Sequence, residues 1–83
     1  MSPGQVVFSK CGRDKGRAMI IMAVDGEYAC LVDGVLRPLN KPKKKKAKHI
    51  QLTNNIVDLV PPCGRVLQDA DIRKHLAGFE QHG

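Results

Sequence analysis

Short apolar segments separated by turn signals constrain the fold of this 83-residue chain more than any other feature. The turn signals recur about every ten residues, a spacing typical of small β sandwiches and barrels. Five short strands can bury both faces of so small a core only by curling into a barrel, which also removes most exposed edges. We therefore predict a mainly β barrel, with strands over residues 5–9, 18–24, 28–32, 35–39 and 49–53.

Turn chemistry sets the connections between these strands. Asp33 and Gly34 predict a two-residue hairpin turn, because a type I′ turn needs positive φ at both central positions. The hairpin would return the chain as the fourth strand, 35–39. Residues 54–60 fit either one helical turn or the end of a strand, and the prolines at 61 and 62 terminate either one. The predicted barrel domain therefore spans residues 1–60.

A linker over residues 61–68 precedes a predicted short C-terminal helix over residues 69–80. Asp69 is the expected N-cap of this helix. Ile72, Leu76 and Phe79 are spaced at i, i+4 and i+7, which places them on one face. A helix of about ten residues is marginal in isolation, so this apolar stripe must pack on something. We expect it to seal the barrel; the alternative is a docking face for a protein partner.

The positive charge of the chain is concentrated in one segment. The formal net charge is +6, and eight acidic residues balance all the basic residues outside the segment 40–48. Because close like charges repel, this segment is expected to be a solvated basic loop that does not pack. A basic segment on a nearly neutral body is typical of proteins that bind polyanions. The six lysines of the segment are Lys41, Lys43, Lys44, Lys45, Lys46 and Lys48.

A second basic segment follows the first strand. Gly12 and Gly16 permit a tight turn there, which predicts a hairpin loop with its cations on an exposed tip. Arginine can make bidentate contacts to phosphate that lysine cannot. Arg37, in the predicted fourth strand, would extend the basic patch, and His49, beside the lysines, would contact phosphate. The cations of the loop are Lys10, Arg13, Lys15 and Arg17.

The first hairpin also resembles a known signature, the KOW motif of ribosomal proteins and of the transcription factor NusG. The matching residues are Gly4, Val6, Val7, Ser9, Gly12, Asp14, Lys15 and Gly16. Segments 24–25, 29–34 (ACLVDG) and 49–53 (HIQLT) are similar to the following strands of the large-subunit ribosomal family L-fourteen-e, so that the resemblance covers roughly residues 4–60. In place of the long basic C-terminal helix of that family stands a short segment, 69–80, as in the stand-alone KOW proteins of bacteria. The resemblance implies a small SH3-like barrel that binds RNA.

These observations predict a protein that binds structured RNA, with ribosomal RNA or the ribosome as the expected target, through contacts to the phosphate backbone. The alternative is a protein-interaction module of the transcription or translation machinery. A nonspecific DNA binder stays open, since the preference for RNA comes from the resemblance alone. The expected RNA-binding residues are Lys10, Arg13, Lys15, Arg17, Arg37, Lys41, Lys43, Lys44, Lys45, Lys46, Lys48 and His49, with Gly4, Gly12 and Gly16 as motif glycines.

Other classes of function lack sequence support. The three histidines and three cysteines have no metal-ligand spacing, and no nucleophile–base pair or phosphate-cradling motif is recognisable. We therefore expect no metal, no cofactor and no enzymatic activity. No apolar run is long enough to cross a bilayer, and the N-terminus lacks the pattern of a secretory signal. A cytoplasmic monomer is the expectation.

Overall fold

A computed structural model of the chain describes residues 1–13, 15–61 and 64–79. Five antiparallel strands form one sheet in the order β4-β3-β2-β1-β5, and one short helix follows them. The fold is mainly β, as the sequence predicts. The elements are β1 (Gln5–Ser9), β2 (Ala18–Asp25), β3 (Tyr28–Val32), β4 (Lys43–Lys46), β5 (Ile50–Ile56) and α1 (Asp69–Leu76).

The sheet curls because its two outer strands are consecutive in the chain. β4 and β5 lie at opposite ends of the strand order, yet only the 3₁₀ helix Ala47–His49 joins them. The C-terminal end of β1 is bonded to this 3₁₀ helix, because the N–H of Lys10, the residue after β1, donates to the carbonyl oxygen of His49 at 2.8 Å. A five-stranded sheet closed through a 3₁₀ turn has the architecture of a small SH3-like barrel.

Alternate residues of the central strands enter two separate cores. Val7 and Met19 belong to a cluster enclosed by the curled sheet. Val6 and Ile20 point to the opposite face and pack in a second cluster with Ile72 of α1. Because both faces of β1 and β2 are covered, their sequences are continuous apolar runs rather than alternating ones.

Helix α1 covers the outer face of the sheet. Ile72 and Leu76 are buried in the second cluster, and Phe79, in the 3₁₀ helix Ala77–Phe79 that follows α1, packs against it. The prediction of Asp69 as N-cap is wrong. Gln68 is the N-cap and forms a capping box with Asp71, while the Asp69 carboxylate accepts a hydrogen bond from the backbone N–H of Leu39 at 2.7 Å. Asp69 is therefore the first residue of the helix and not its cap, and its side chain fixes a loop.

The predicted fourth strand, 35–39, is absent, and a loop takes its place. The buried carboxylate of Asp33 accepts hydrogen bonds from the backbone N–H groups of Val35 at 2.9 Å and Arg37 at 2.8 Å. A side chain that satisfies the backbone in this way competes with a strand ladder. The Asp33–Gly34 pair consequently begins a compact loop, not a two-residue hairpin.

The expectation of a solvated lysine loop over residues 40–48 is also wrong at its centre. Lys43–Lys46 forms β4, which pairs with β3 and places Lys45 opposite Ala29. Two acidic side chains at the β2–β3 turn neutralise lysines on the outer face of β4: Asp25 lies 3.3 Å from Lys44 and Glu27 lies 4.0 Å from Lys46. These exposed ion pairs reduce the repulsion between the lysines of β4.

The remaining predicted boundaries lie between the fifth strand and the C-terminus. The ambiguous residues 54–60 begin as strand, because β5 continues to Ile56, and Val57 and Leu59 then pack against the outer core cluster. Of the predicted linker, Pro62 and Cys63 lie outside the described residues, as does Glu80 at the predicted end of the helix. No helix in the described part of the chain is long and apolar enough to cross a membrane.

Candidate nucleic-acid interface

The base of the β1–β2 hairpin and the lysine strand β4 (Lys43–Lys46) meet at the side chain of Lys45. This side chain lies on the inner face of β4, and the exposed fraction of the residue is 9%. Its ammonium donates to the hydroxyl of Ser9 at 2.5 Å and to the carbonyl oxygen of Cys11 at 3.0 Å. The Ser9 hydroxyl donates to the same carbonyl at 3.0 Å. One lysine of the run thus connects β4 to the start of the basic loop.

The 3₁₀ helix Ala47–His49 brings further basic groups to the same place. The backbone bond from Lys10 to His49 holds the first loop cation beside this turn. Lys10 and Lys48 are exposed, and His49 is half-buried. The structure therefore brings together members of the two basic segments that are more than thirty residues apart in the sequence.

The tip of the hairpin projects from this base. The backbone N–H of Gly16 donates to the carbonyl of Ser9 at 2.8 Å, which extends the β1–β2 pairing to the start of the loop. Gly12 has φ 78° and Gly16 has φ 83°, which confirms the expectation that both glycines turn the chain. Arg13 and Lys15 are exposed on the tip. Asp14, the acidic residue between them, lies outside the described residues.

Two predicted cations belong instead to the Asp33 loop. The Arg17 guanidinium donates to the Asp33 carboxylate at 3.2 Å. Arg37 is half-buried, and its backbone N–H and carbonyl both bond to Asp33. These contacts give Arg17 and Arg37 a structural role in holding the loop that replaces the predicted fourth strand.

Two lysines on the other face of β4 do not form one surface with Lys45. Lys44 and Lys46 lie on the outer face of β4, where their ammonium groups are 5.3 and 5.9 Å from the centre of the Tyr28 ring. Both distances fit cation–π contacts. Lys43 lies opposite Leu31 at the other end of β4, and Lys41 is exposed in the preceding turn.

Gly4 is remote from the basic loop, at the opposite end of β1. Its φ is 89°, and a Cβ at this position would lie 2.5 Å from the carbonyl oxygen of Val57. The carbonyl of Gly4 also accepts the N–H of Val57 at 2.8 Å. The first motif glycine therefore permits close approach of two backbone segments and does not contribute to the candidate interface.

Sequence reasoning missed two residues that shape this region. Ser9 was expected as the last residue of the first strand and as a residue of the KOW signature, but not as a side chain that fixes the loop. Its sequence signal is a polar residue at the start of a basic loop. Tyr28 is 40% exposed and is positioned by its pairing with Lys46. The sequence signal for Tyr28 is an aromatic residue directly after the Asp25-Gly26-Glu27 turn.

The chemistry available on this surface is electrostatic. The cations are lysine and arginine side chains on flexible stems around one buried ammonium, an arrangement suited to phosphate groups. Among the described residues, no group of three or more histidine, cysteine or acidic side chains is placed to hold a metal ion. A separate ion pair lies at the N-terminus of α1. There Arg65 hydrogen-bonds to Asp71 and, with the backbone N–H of Gln68, lowers the pKa of that carboxyl to about 2.

No protein-family model matches the chain, and no curated protein matches it.

Proposed function

We propose that this protein binds structured RNA, with ribosomal RNA as the target class, through phosphate contacts and without catalysis. The observation that carries the proposal is the junction of two basic segments at Lys45, Ser9 and Cys11. Exposed cations surround this junction on the hairpin and on the 3₁₀ turn. The proposed binding surface consists of Lys10, Arg13, Lys15, Lys45, Lys48 and His49.

The proposed binding surface contains fewer residues than the sequence predicts. Lys44 and Lys46 have acidic neighbours and lie on the outer face of β4, so we exclude them from the surface. Arg17 and Arg37 hold the Asp33 loop. The KOW resemblance favours RNA over DNA, and a competition between folded RNA and duplex DNA for the protein measures that preference directly.

Co-sedimentation of the protein with ribosomes at low and high salt tests the target class. Phosphate contacts release counterions, so binding that depends on them weakens steeply with salt. We expect the protein to sediment with ribosomes at low salt and to leave them at high salt. Absence from the ribosomal fraction at both salt concentrations would reject the ribosomal assignment.

A second candidate function, docking to a protein of the transcription or translation machinery, is supported by a different surface. Val35 and Leu36 are exposed apolar side chains on a loop that Asp33 and Arg73 hold in place; the Arg73 guanidinium donates to the Gly34 carbonyl at 2.6 Å. Rigid exposed apolar groups are typical of contact surfaces. Under this alternative, variants that neutralise the basic surface keep their partner, whereas Leu36→Ser loses it.

A further inference from the structure

Lys45 places a cationic side chain in a largely buried position, and it has no carboxylate partner in the part of the chain that the structure describes. No acidic side chain of the described residues lies within 4.0 Å of its ammonium. Its two acceptors, the Ser9 hydroxyl and the Cys11 carbonyl, are neutral. Buried charges in proteins are normally paired, because desolvation of an unpaired charge is costly. An anion from outside the chain would supply the missing partner.

The surroundings of the ammonium suit such an anion. An ammonium has three donors, of which two are used. A Cβ at Gly12 would lie 3.9 Å from the Lys45 nitrogen, so the backbone of the glycine lies beside the ammonium. The N–H groups of Cys11, Gly12 and Arg13 donate to no backbone carbonyl among the described residues. Successive free N–H groups beside a left-handed glycine are a known anion-binding arrangement.

We propose that one phosphate group of the RNA backbone binds at the base of the β1–β2 hairpin, with the Lys45 ammonium as its central donor. This inference rests on the proposed function and gives it a fixed point of attachment. The exposed cations of the surface are flexible and contact phosphates in many arrangements. Lys45 is different, because Ser9 and Cys11 fix the position of its nitrogen. The phosphate at this site therefore sets the register of the RNA on the protein.

A pair of lysine variants on β4 tests the site. Lys45→Met keeps most of the aliphatic stem and removes the ammonium. Lys44→Met makes the same chemical change on the adjacent residue, which lies on the outer face and outside the proposed surface. Both variants lower the net charge by one. We expect Lys45→Met to weaken binding to a structured ribosomal RNA fragment about tenfold or more, as for loss of one charge-assisted hydrogen bond, and Lys44→Met to weaken it about twofold or less.

Ser9→Ala provides a second variant that keeps all charges. It removes the hydroxyl that positions the Lys45 ammonium, so we expect RNA affinity to fall while the salt dependence of binding stays unchanged. A variant that merely reduces net charge would lower the salt dependence instead. Thermal unfolding of each variant establishes that the folded protein is being titrated.

NMR of the wild-type protein tests the site without any substitution. The lysine ammonium resonances are followed during titration with inorganic phosphate and, as a control, with chloride at equal ionic strength. We expect a saturable shift of the Lys45 resonance with phosphate, and a smaller, non-saturating change for Lys44. No phosphate-specific shift of Lys45 would overturn the inference.

The outcomes separate this inference from the proposed function. If RNA binds the wild type and both methionine variants equally well, RNA binding stands and the Lys45 phosphate site is overturned. If RNA does not bind the wild type at all, the proposed function fails, and the phosphate titration alone decides whether Lys45 is an anion site. A tenfold difference between the methionine variants together with the phosphate-specific shift supports both.

Discussion

The ammonium of Lys45 donates to the hydroxyl of Ser9 at 2.5 Å, across 36 residues of sequence. This bond joins the lysine strand to the end of β1, where the basic hairpin loop begins. Because the same ammonium also contacts the Cys11 carbonyl, the loop has a defined position relative to β4. The two basic segments thus become parts of one surface instead of two independent charged loops.

The salt dependence of RNA binding should reflect the number of cations on that surface. Six phosphate contacts would give a log–log slope on the order of −4, whereas the five lysine and arginine side chains of the proposed surface should give about −3.5. Lys44 and Lys46 are not counted, because they have acidic neighbours. Equilibrium titration across a range of salt concentrations measures the slope. Binding that is independent of salt would contradict electrostatic capture.

The outer core should depend on Ile72, which is fully buried against the sheet. We expect Ile72→Ala to lower the free energy of unfolding by about 2–4 kcal/mol, through lost burial and the cavity that remains. Val66→Ala is the matched control, since this side chain is 80% exposed, and it should change stability by less than about 0.5 kcal/mol. Urea unfolding measures both. Equal stabilities would mean that α1 is dispensable for the fold.

The loop that begins at Asp33 should lose stability when the Asp33 carboxylate is removed. Asp33 is buried and accepts three hydrogen bonds, from Arg17, Val35 and Arg37. Asp33→Ala leaves three part-buried donors without their acceptor and should cost about 3 kcal/mol of stability. Asp25→Ala removes an exposed ion pair with Lys44 and should cost less than about 0.5 kcal/mol. A similar loss in both variants would show that Asp33 has no special role.

The N-terminus of α1 should respond to acid. Arg65 donates to both carboxylate oxygens of Asp71, at 2.8 and 2.5 Å, and this contact, with the backbone N–H of Gln68, lowers the pKa of Asp71 to about 2. Because the pKa of Asp71 is lower in the folded protein than in the unfolded chain, the stability that this contact contributes is fully present above the unfolded pKa, about 4. It is lost as the pH falls towards 2.

Circular dichroism at 222 nm during an acid titration follows this loss. The wild type should lose helical signal between pH 4 and pH 2, the window set by the unfolded and folded pKa values of Asp71. Asp71→Asn should begin with a weaker cap and show a smaller change over that window. Identical titration curves would contradict a role for the Arg65–Asp71 pair in holding the helix.

The first three strands could be predicted from sequence because apolar runs and turn residues determine them locally. Strand β4 could not, since four consecutive lysines carry no alternation from which an inner and an outer face can be inferred. Its stability comes chiefly from pairing with β3, and Asp25 and Glu27 on the β2–β3 turn add exposed ion pairs to two of its lysines. These partners lie nearly twenty residues earlier in the chain, and the local charge pattern of the run gives no sign of them.

Only part of the candidate site could likewise be predicted from the sequence. Exposed cations such as Arg13 and Lys15 could be assigned to a basic hairpin tip from glycine positions and charge. The roles of Arg17 and Arg37 could not, because both depend on Asp33, whose carboxylate was expected in a hairpin turn. The buried position of Lys45 also depends on the barrel bringing Ser9 and Cys11 to β4, which is tertiary information.

RNA titration of two charge-matched triple variants tests the central claim most directly. One variant replaces Lys10, Lys15 and Lys48 by Gln on the proposed surface. The other replaces Lys44, Lys46 and Lys74, which lie outside it. Because both variants lose three charges, a protein that binds through net charge alone would be weakened equally by either set. We predict that the first variant binds a structured ribosomal RNA fragment at least tenfold more weakly than the second; equal affinities would contradict the account.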